Sequence, residues 1–316
     1  MVKNKKICVV VPAYNEEKLI GKVIDTMPDF VDKIIVVDDN SSDNTIGIVK
    51  NYSSKNPDKI KLISHQVNQG VGAAIASGYK KAVELEYDVT VVMAGDAQMD
   101  PNDLPRIVAP IVEEKADYVK GNRLFRGESW EMIPHYRYLG NSILSFFTKI
   151  ASGYWHIADS QTGYTAISLA ALKKIDIDSI YKSYGMPNDL LITLNINNYV
   201  VKDVHIKPIY NIGESSGIKL HNVIPSISLL LIKGFFKRML LKYVIHDFHP
   251  LILFYLLAFI SLPCSLFFLF RTIYFYFILG NVPPTSFLLF WFLIISGFQS
   301  LFFAMWFDMD YNKNLK

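Results

Sequence analysis

Residues Val91–Pro101 read VVMAGDAQMDP. An apolar run of this kind is a strand buried on both faces, yet it breaks off into Asp96, Gln98 and Asp100. The same grammar recurs upstream. KKICVVVPAYNEEKLIGKVIDTM, VDKIIVVDDNSSDNTIGIVKNY and KIKLISHQVNQGVGAAIASGYKKAVE each pass from a buried strand through a polar or glycine-rich turn into an amphipathic helix. Alternating strands and helices predict an α/β fold with an open, mostly parallel sheet and helices on both faces. Ligands of such sheets bind beyond the carboxyl ends of the strands. Tyr14, Asn15 and Glu16, then Asp38 and Asp39, Asn68 to Gly72, and Asp96 with Gln98 all follow strand ends, so they are expected to line one edge.

Acidic groups at such an edge repel an anionic ligand unless a divalent cation lies between them. Asp96 and Gln98 offer hard oxygens two residues apart, which suits magnesium or manganese completing its shell with phosphate oxygens. Asp100 can join them or cap the helix that starts near Asn102. Asp38 and Asp39 read equally as the entry to a turn in DDNSSDNT, where Asn40, Ser41 and Asp43 serve as well. GVGAAI lacks the third small residue of a dinucleotide fingerprint, so Gly70 and Gly72 are read as positions where a ligand or a neighbouring helix approaches the backbone.

The chain has 316 residues, more than one ordinary domain. LILFYLLAFISLPCSLFFLF (about 251–270) and FLLFWFLIISGFQSLFFAMWF (about 287–307) carry no charge, and each can cross a hydrocarbon core of about 30 Å. Neither offers a polar face, so two transmembrane helices joined as a hairpin are expected, with Pro263 kinking the first. Before them, residues 223–247 place Lys233, Lys237, Arg238 and Lys242 at helical spacing among aliphatic residues, the pattern of an interfacial amphipathic helix on an anionic leaflet. The cationic side preceding the first span and the single Arg271 between the spans put the N-terminal domain, residues 1–222, on the cytoplasmic face of a multi-pass membrane protein. A net charge of +3 without a basic stripe excludes nucleic acid as a partner. Cys8 in a strand and Cys264 in a span argue against a disulfide or a zinc site.

In order, VVVPAYNEE, VVDDNSSDNT, NQGVGAAIASG, AGDAQMDP, KGNR and SQTGY resemble the motif series of the family 2 inverting glycosyltransferases, and the two-span tail is similar to their polyprenyl-phosphate branch. The resemblance implies a Rossmann-like GT-A fold and a nucleotide sugar, UDP- or GDP-linked, with Pro12, Ala13, Tyr14, Glu16, Asp39 and Gly70 about the nucleotide. It implies a Mg2+ or Mn2+ ion on Asp96 and Gln98, and Asp159 with Gln161 in DSQTGY facing the sugar. Ala94 stands where the family often has a further Asp. Arg123 and Arg137, with Asn141 one helical turn on and Lys219 in GESSGIKL, match positions that grip the acceptor phosphate, where a guanidinium fork binds oxygens in pairs. The plainer alternative is a surface arginine paired with Glu128 or Glu131. Asp189 in PND occupies the place of a catalytic base, although an anionic lipid phosphate can attack without one. The implied catalytic set is Asp96, Arg123, Arg137 and Asp189.

The expected activity is transfer of a hexose from the nucleotide sugar to a polyprenyl phosphate at the membrane, with a homo-oligomer left open. Two alternatives remain: transfer to a hydroxyl of a lipid-linked saccharide or envelope glycan, and a non-catalytic membrane scaffold. The absence of a Gln-x-x-Arg-Trp motif and the small number of spans disfavour a processive synthase.

Overall fold

The computed structural model describes residues 4–124, 135–207, 209 and 220–316, except for the side chains of 135–137, 220–223 and 279. The chain divides into two compact units, Met1–Phe236 together with Asn314–Lys316, and Lys237–Lys313.

Among the described residues the first unit is built on a seven-stranded sheet: β1 (Ile7–Ala13), β2 (Lys33–Asp38), β3 (Ile60–Ser64), β4 (Val89–Val92), β5 (Tyr118–Asn122), β6 (Thr165–Ser168) and β7 (Val201–His205). Their order across the sheet is β3-β2-β1-β4-β6-β5-β7. All pairings are parallel except those of β6 with β4 and β5. The reversal of β6 brings its amino end, and the SQTGY residues that lead into it, to the edge where the other strands have their carboxyl ends. In ADSQTGYTAIS only the last four residues are strand; Asp159 to Tyr164 form the approach to it.

Because every other residue of a strand faces the opposite side, β1 feeds two cores. Ile7, Val9 and Val11 join Ile34, Val36 and Val91 on one face, while Cys8 and Val10 join Ile35, Val37 and Val92 on the other. The first face is covered by α1 (Ile20–Asp25), α2 (Thr45–Lys55) and α4 (Leu104–Val112); the second by α3 (Val71–Glu84), α6 (Leu169–Lys174) and α7 (Met186–Ile196). Strands at the centre of a sheet covered on both faces need continuous apolar residues, and this is why β1, β2 and β4 read as nearly unbroken runs. Helix α5 (His135–Ser152) packs on α7. Asp100 caps the short turn before α4 by accepting from the Asn102 amide at 2.8 Å, the second of its two expected uses.

Helix α8 (Leu220–Leu240) begins in the first unit, where Gly234 and Leu230 lie against Ile192 and Gly185. It runs on into a turn of π-helix at Leu241–His246, followed by α9 (Leu251–Leu279) and α10 (Pro284–Tyr311). These last two are apolar and 28 residues long in their span-like parts, with mean hydropathy 2.4 and 2.0. Their contact uses small residues: Gly297 of α10 meets Leu262, and Ser286, Ser300 and Ala304 are buried.

One expectation for α8 is corrected within the second unit. Lys233 and Lys237 are exposed, but Arg238 and Lys242 turn inward and are buried. Arg238 Nη1 and Nη2 donate to the two carboxylate oxygens of Asp308 at 2.7 and 3.0 Å, and Lys242 Nζ donates to Asn312 Oδ1 at 2.8 Å. Their partners, Asp308 near the end of α10 and Asn312 just past it, each lie 70 residues further along the chain, so helical spacing alone reads all four cations as one surface stripe.

Candidate active site

Three strand ends are tied together by main-chain hydrogen bonds. The Gly95 amide donates to Pro12 O at 3.1 Å, and the Asp39 amide donates to Ala13 O at 2.9 Å. Pro12 and Ala13 are therefore buried, and they carry Tyr14, half exposed, out over the edge. The loops beyond β1 and β2 are laced: the Ser42 amide donates to Asn15 Oδ1 at 2.8 Å, the Glu16 amide to Thr45 Oγ1 at 2.8 Å, and the Glu17 amide to Asp43 Oδ2 at 3.0 Å. Asn15 and Asn40 take left-handed backbone, which asparagine tolerates.

In the loop after β4, the Gln98 amide donates to Asp96 Oδ1 at 3.0 Å across Ala97, whose φ is +57°. A left-handed alanine is strained, and strain held in a loop is often found at working sites. Burial, then the charges of Asp96 and Asp43, push the Glu16 carboxyl up to about 7. The edge thus gathers more negative charge than it can hold comfortably. Among the described residues no three His, Cys, Asp or Glu side chains form a complete metal cage. Glu16, Asp96 and the amide oxygen of Gln98 are nevertheless hard oxygens beside an excess of negative charge, a donor set that fits Mg2+ or Mn2+ when a diphosphate supplies the remaining ligands.

Asp39 and Gly70 are engaged with each other. The Gln69 and Gly70 amides donate to the two oxygens of Asp39 at 2.9 and 2.7 Å, and His65 Nδ1 stands 2.7 Å from Asp39 Oδ1 with its Nε2 at 2.9 Å from Ser77 Oγ. Of the pair at the end of β2, Asp38 is the one with a buried oxygen, Oδ1, lacking a partner among the described residues. The glycines of GVG answer the approach of another segment. A Cβ on Gly70 would lie 2.5 Å from Lys182 O, and one on Gly72 2.2 Å from Tyr181 O. The Gly72 and Ala73 amides, at the start of α3, are taken by Lys182 O at 2.9 and 3.2 Å. That segment is secured in turn by Asp189, whose Oδ2 accepts from the Tyr181 amide at 2.9 Å.

Arg123 follows β5 and is paired with Asp159, ahead of β6. Its Nε donates to Oδ2 at 2.7 Å, Nη2 to Oδ1 at 3.2 Å, and its amide to Oδ2 at 3.2 Å. Burial alone would raise the carboxyl of Asp159; the charge and hydrogen bonds of Arg123 outweigh it and hold it below the usual carboxylate range. Gln161 Nε2 donates to Asn188 Oδ1 at 3.0 Å, linking SQTGY to α7. Asn141 is half buried on α5. Arg137 lies on the same helix with its side chain outside the described residues, and Lys219, Glu128 and Glu131 lie outside them altogether.

Behind the ion pair sit two groups that pattern reading passed over. Lys120 is fully buried on β5, donates to Thr162 O at 2.6 Å, and is pulled down to about 8 by burial against the attraction of Asp159 and Asp203. Asp203 on β7 accepts from the Ala158 amide at 2.7 Å and is pushed up to about 6 by burial. The lysine stands inside the quoted KGNR; a cation in the middle of a buried strand was the signal available.

The chain resembles known proteins in sequence and in fold. The sequence model of glycosyl transferase family 2 matches residues 8–176. The chain belongs to that family. It is 35% identical over 219 residues to a UDP-N-acetylglucosamine–dolichyl-phosphate N-acetylglucosaminyltransferase of Methanococcus voltae, covering 66% of this chain and 87% of that protein. It is 30% identical over 190 residues to an undecaprenyl-phosphate mannosyltransferase of Micrococcus luteus, covering 58% and 76%. Among solved structures, glucosyl-3-phosphoglycerate synthase of Mycobacterium tuberculosis with Mn2+, UDP-glucose and phosphoglyceric acid shares the fold, with TM-score 0.55 and 20% identity over 74% of this chain and 80% of that one. This family 2 glycosyltransferase has the GT-A sheet expected from its strand-helix alternation, with one strand reversed.

Proposed function

We propose that this glycosyltransferase is anchored in a membrane and moves a hexose from a UDP- or GDP-sugar to a polyprenyl phosphate, inverting the anomeric centre, with Mg2+ or Mn2+. The observation that carries the reading is the continuation of a family 2 catalytic unit into two long apolar helices, after which the chain returns to that unit. The Val201 amide donates to Leu315 O at 3.1 Å, and Leu315 packs on the core around β7. The residues that follow α10 thus rejoin the catalytic unit that precedes α9, which supports an even number of crossings. The dolichyl- and undecaprenyl-phosphate relatives support that acceptor class.

In this reading Asp96, Gln98 and Glu16 hold the cation, which when bound neutralises the leaving diphosphate. Tyr14, on the clamp of Pro12 and Ala13, covers the base; Asp39 shapes the loop at Gly70 and stands with Asp38 near the ribose. Gln161 meets the sugar. The guanidinium of Arg123, oriented by Asp159, faces the acceptor phosphate, assisted by Arg137, Asn141 and Lys219. Asp189 fixes the Tyr181 segment, and an acceptor that is already anionic needs no proton removed. Rate enhancement then comes from positioning and charge neutralisation.

The test is incubation of the full chain in detergent with a polyprenyl phosphate, a panel of UDP- and GDP-sugars that begins with UDP-N-acetylglucosamine, and either metal, against an EDTA control. A chelator-sensitive glycolipid from one donor is expected. Sugar nucleotide bound without any glycolipid formed would overturn the acceptor assignment.

A further inference from the structure

The inner face of α10 is occupied by α9, through Gly297 and the small residues in line with it. On the outer face Trp291, Ile295, Phe298, Phe302 and Trp306 recur every three or four residues as a shallow apolar groove, and Gln299 stands in its middle. Gln299 is exposed, and among the described residues its side-chain amide has no hydrogen-bond partner. It is the sixteenth of the 28 residues of α10. At about 1.5 Å per residue it lies within roughly 2 Å of the helix midpoint. With about 15 Å of hydrocarbon to either surface, the side chain is too short to reach water.

An unpaired amide at that depth is unfavourable, and membrane helices satisfy such groups by hydrogen bonding across to another helix. A glutamine carries both donor and acceptor, so two copies related by a two-fold axis satisfy each other. A polyprenyl chain would cover the aromatic residues but offers the amide nothing. We propose that the outer face of α10 is a docking surface for a second copy of this chain, closed around paired Gln299 side chains. The inference rests on the reading of α9 and α10 as membrane spans.

The experiment uses the full chain in native membranes, with Cys264, which is exposed on α9, replaced by serine and Cys8 left in the core. Phe302→Cys, one turn from Gln299, is oxidised and the dimer quantified. A disulfide-linked dimer is expected, reduced several-fold by Gln299→Leu and retained by Gln299→Asn. Carbonate extraction precedes the assay: release of the protein would remove the membrane reading and the inference with it. A protein that stays in the membrane yet forms no dimer, or forms one indifferent to Gln299→Leu, overturns the docking surface alone. Labelling of this face by a photoactivatable polyprenyl phosphate in place of cross-linking overturns it likewise.

Discussion

At the level of single residues, the candidate site depends on acids that serve other protein groups. Asp159 is fully buried and holds Arg123 in a fork. Arg123→Ala leaves that carboxylate in the interior without its cation, a loss of about 3 to 5 kcal/mol. Chemical denaturation should show this, with Arg123→Lys intermediate because an ammonium cannot bridge both oxygens. Asp203 supplies a pH dependence. Its folded pKa is raised from 3.8 to about 6, so its contribution to stability is full below the unfolded value and is lost as pH rises through about 6. Asp203→Asn should flatten the fall in melting temperature between pH 4 and 7. Residue types at strand ends told that this edge was polar, but not which acid held which group. Asp39 reads as a ligand contact in DDNSSDNT, and its engagement with Gln69, Gly70 and His65 depends on a turn thirty residues on that spacing does not reveal.

At the level of elements, the glycines before α3 show how one segment positions another. Gly70 has φ +94°, and its missing Cβ makes room for the Lys182 carbonyl. Gly70→Ala should cost about 1 to 3 kcal/mol and loosen the segment that Asp189 secures. Limited proteolysis should cut near Lys182 sooner, with a raised KM for the donor. The strand-helix alternation was legible because the central strands β1, β2 and β4 are buried on both faces, and helices such as α1 and α4 on one. The reversal of β6 was not: a short buried strand carries the same pattern whether it runs antiparallel or parallel, and the direction is set by partners far along the chain. Helix α8 was legible as an apolar helix with cations, whereas the inward turn of Arg238 and Lys242 was not, since their partners lie at the end of α10 and just past it.

For the whole molecule, the pair Arg238–Asp308 joins α8 to the end of α10. Arg238→Met alone strands a buried carboxylate and should lower the thermal stability of the detergent-solubilised chain markedly, by about 3 to 5 kcal/mol, while adding Asp308→Leu should recover most of it. The contact of Leu315 with Val201 sets an order in time. During synthesis the residues that complete the packing beside β7 emerge after every apolar residue of α9 and α10, so this corner of the sheet waits for the hairpin to be made. A ribosome that stalls within α10 releases a glycosyltransferase domain with that corner unsealed, and such a chain is open to proteolysis.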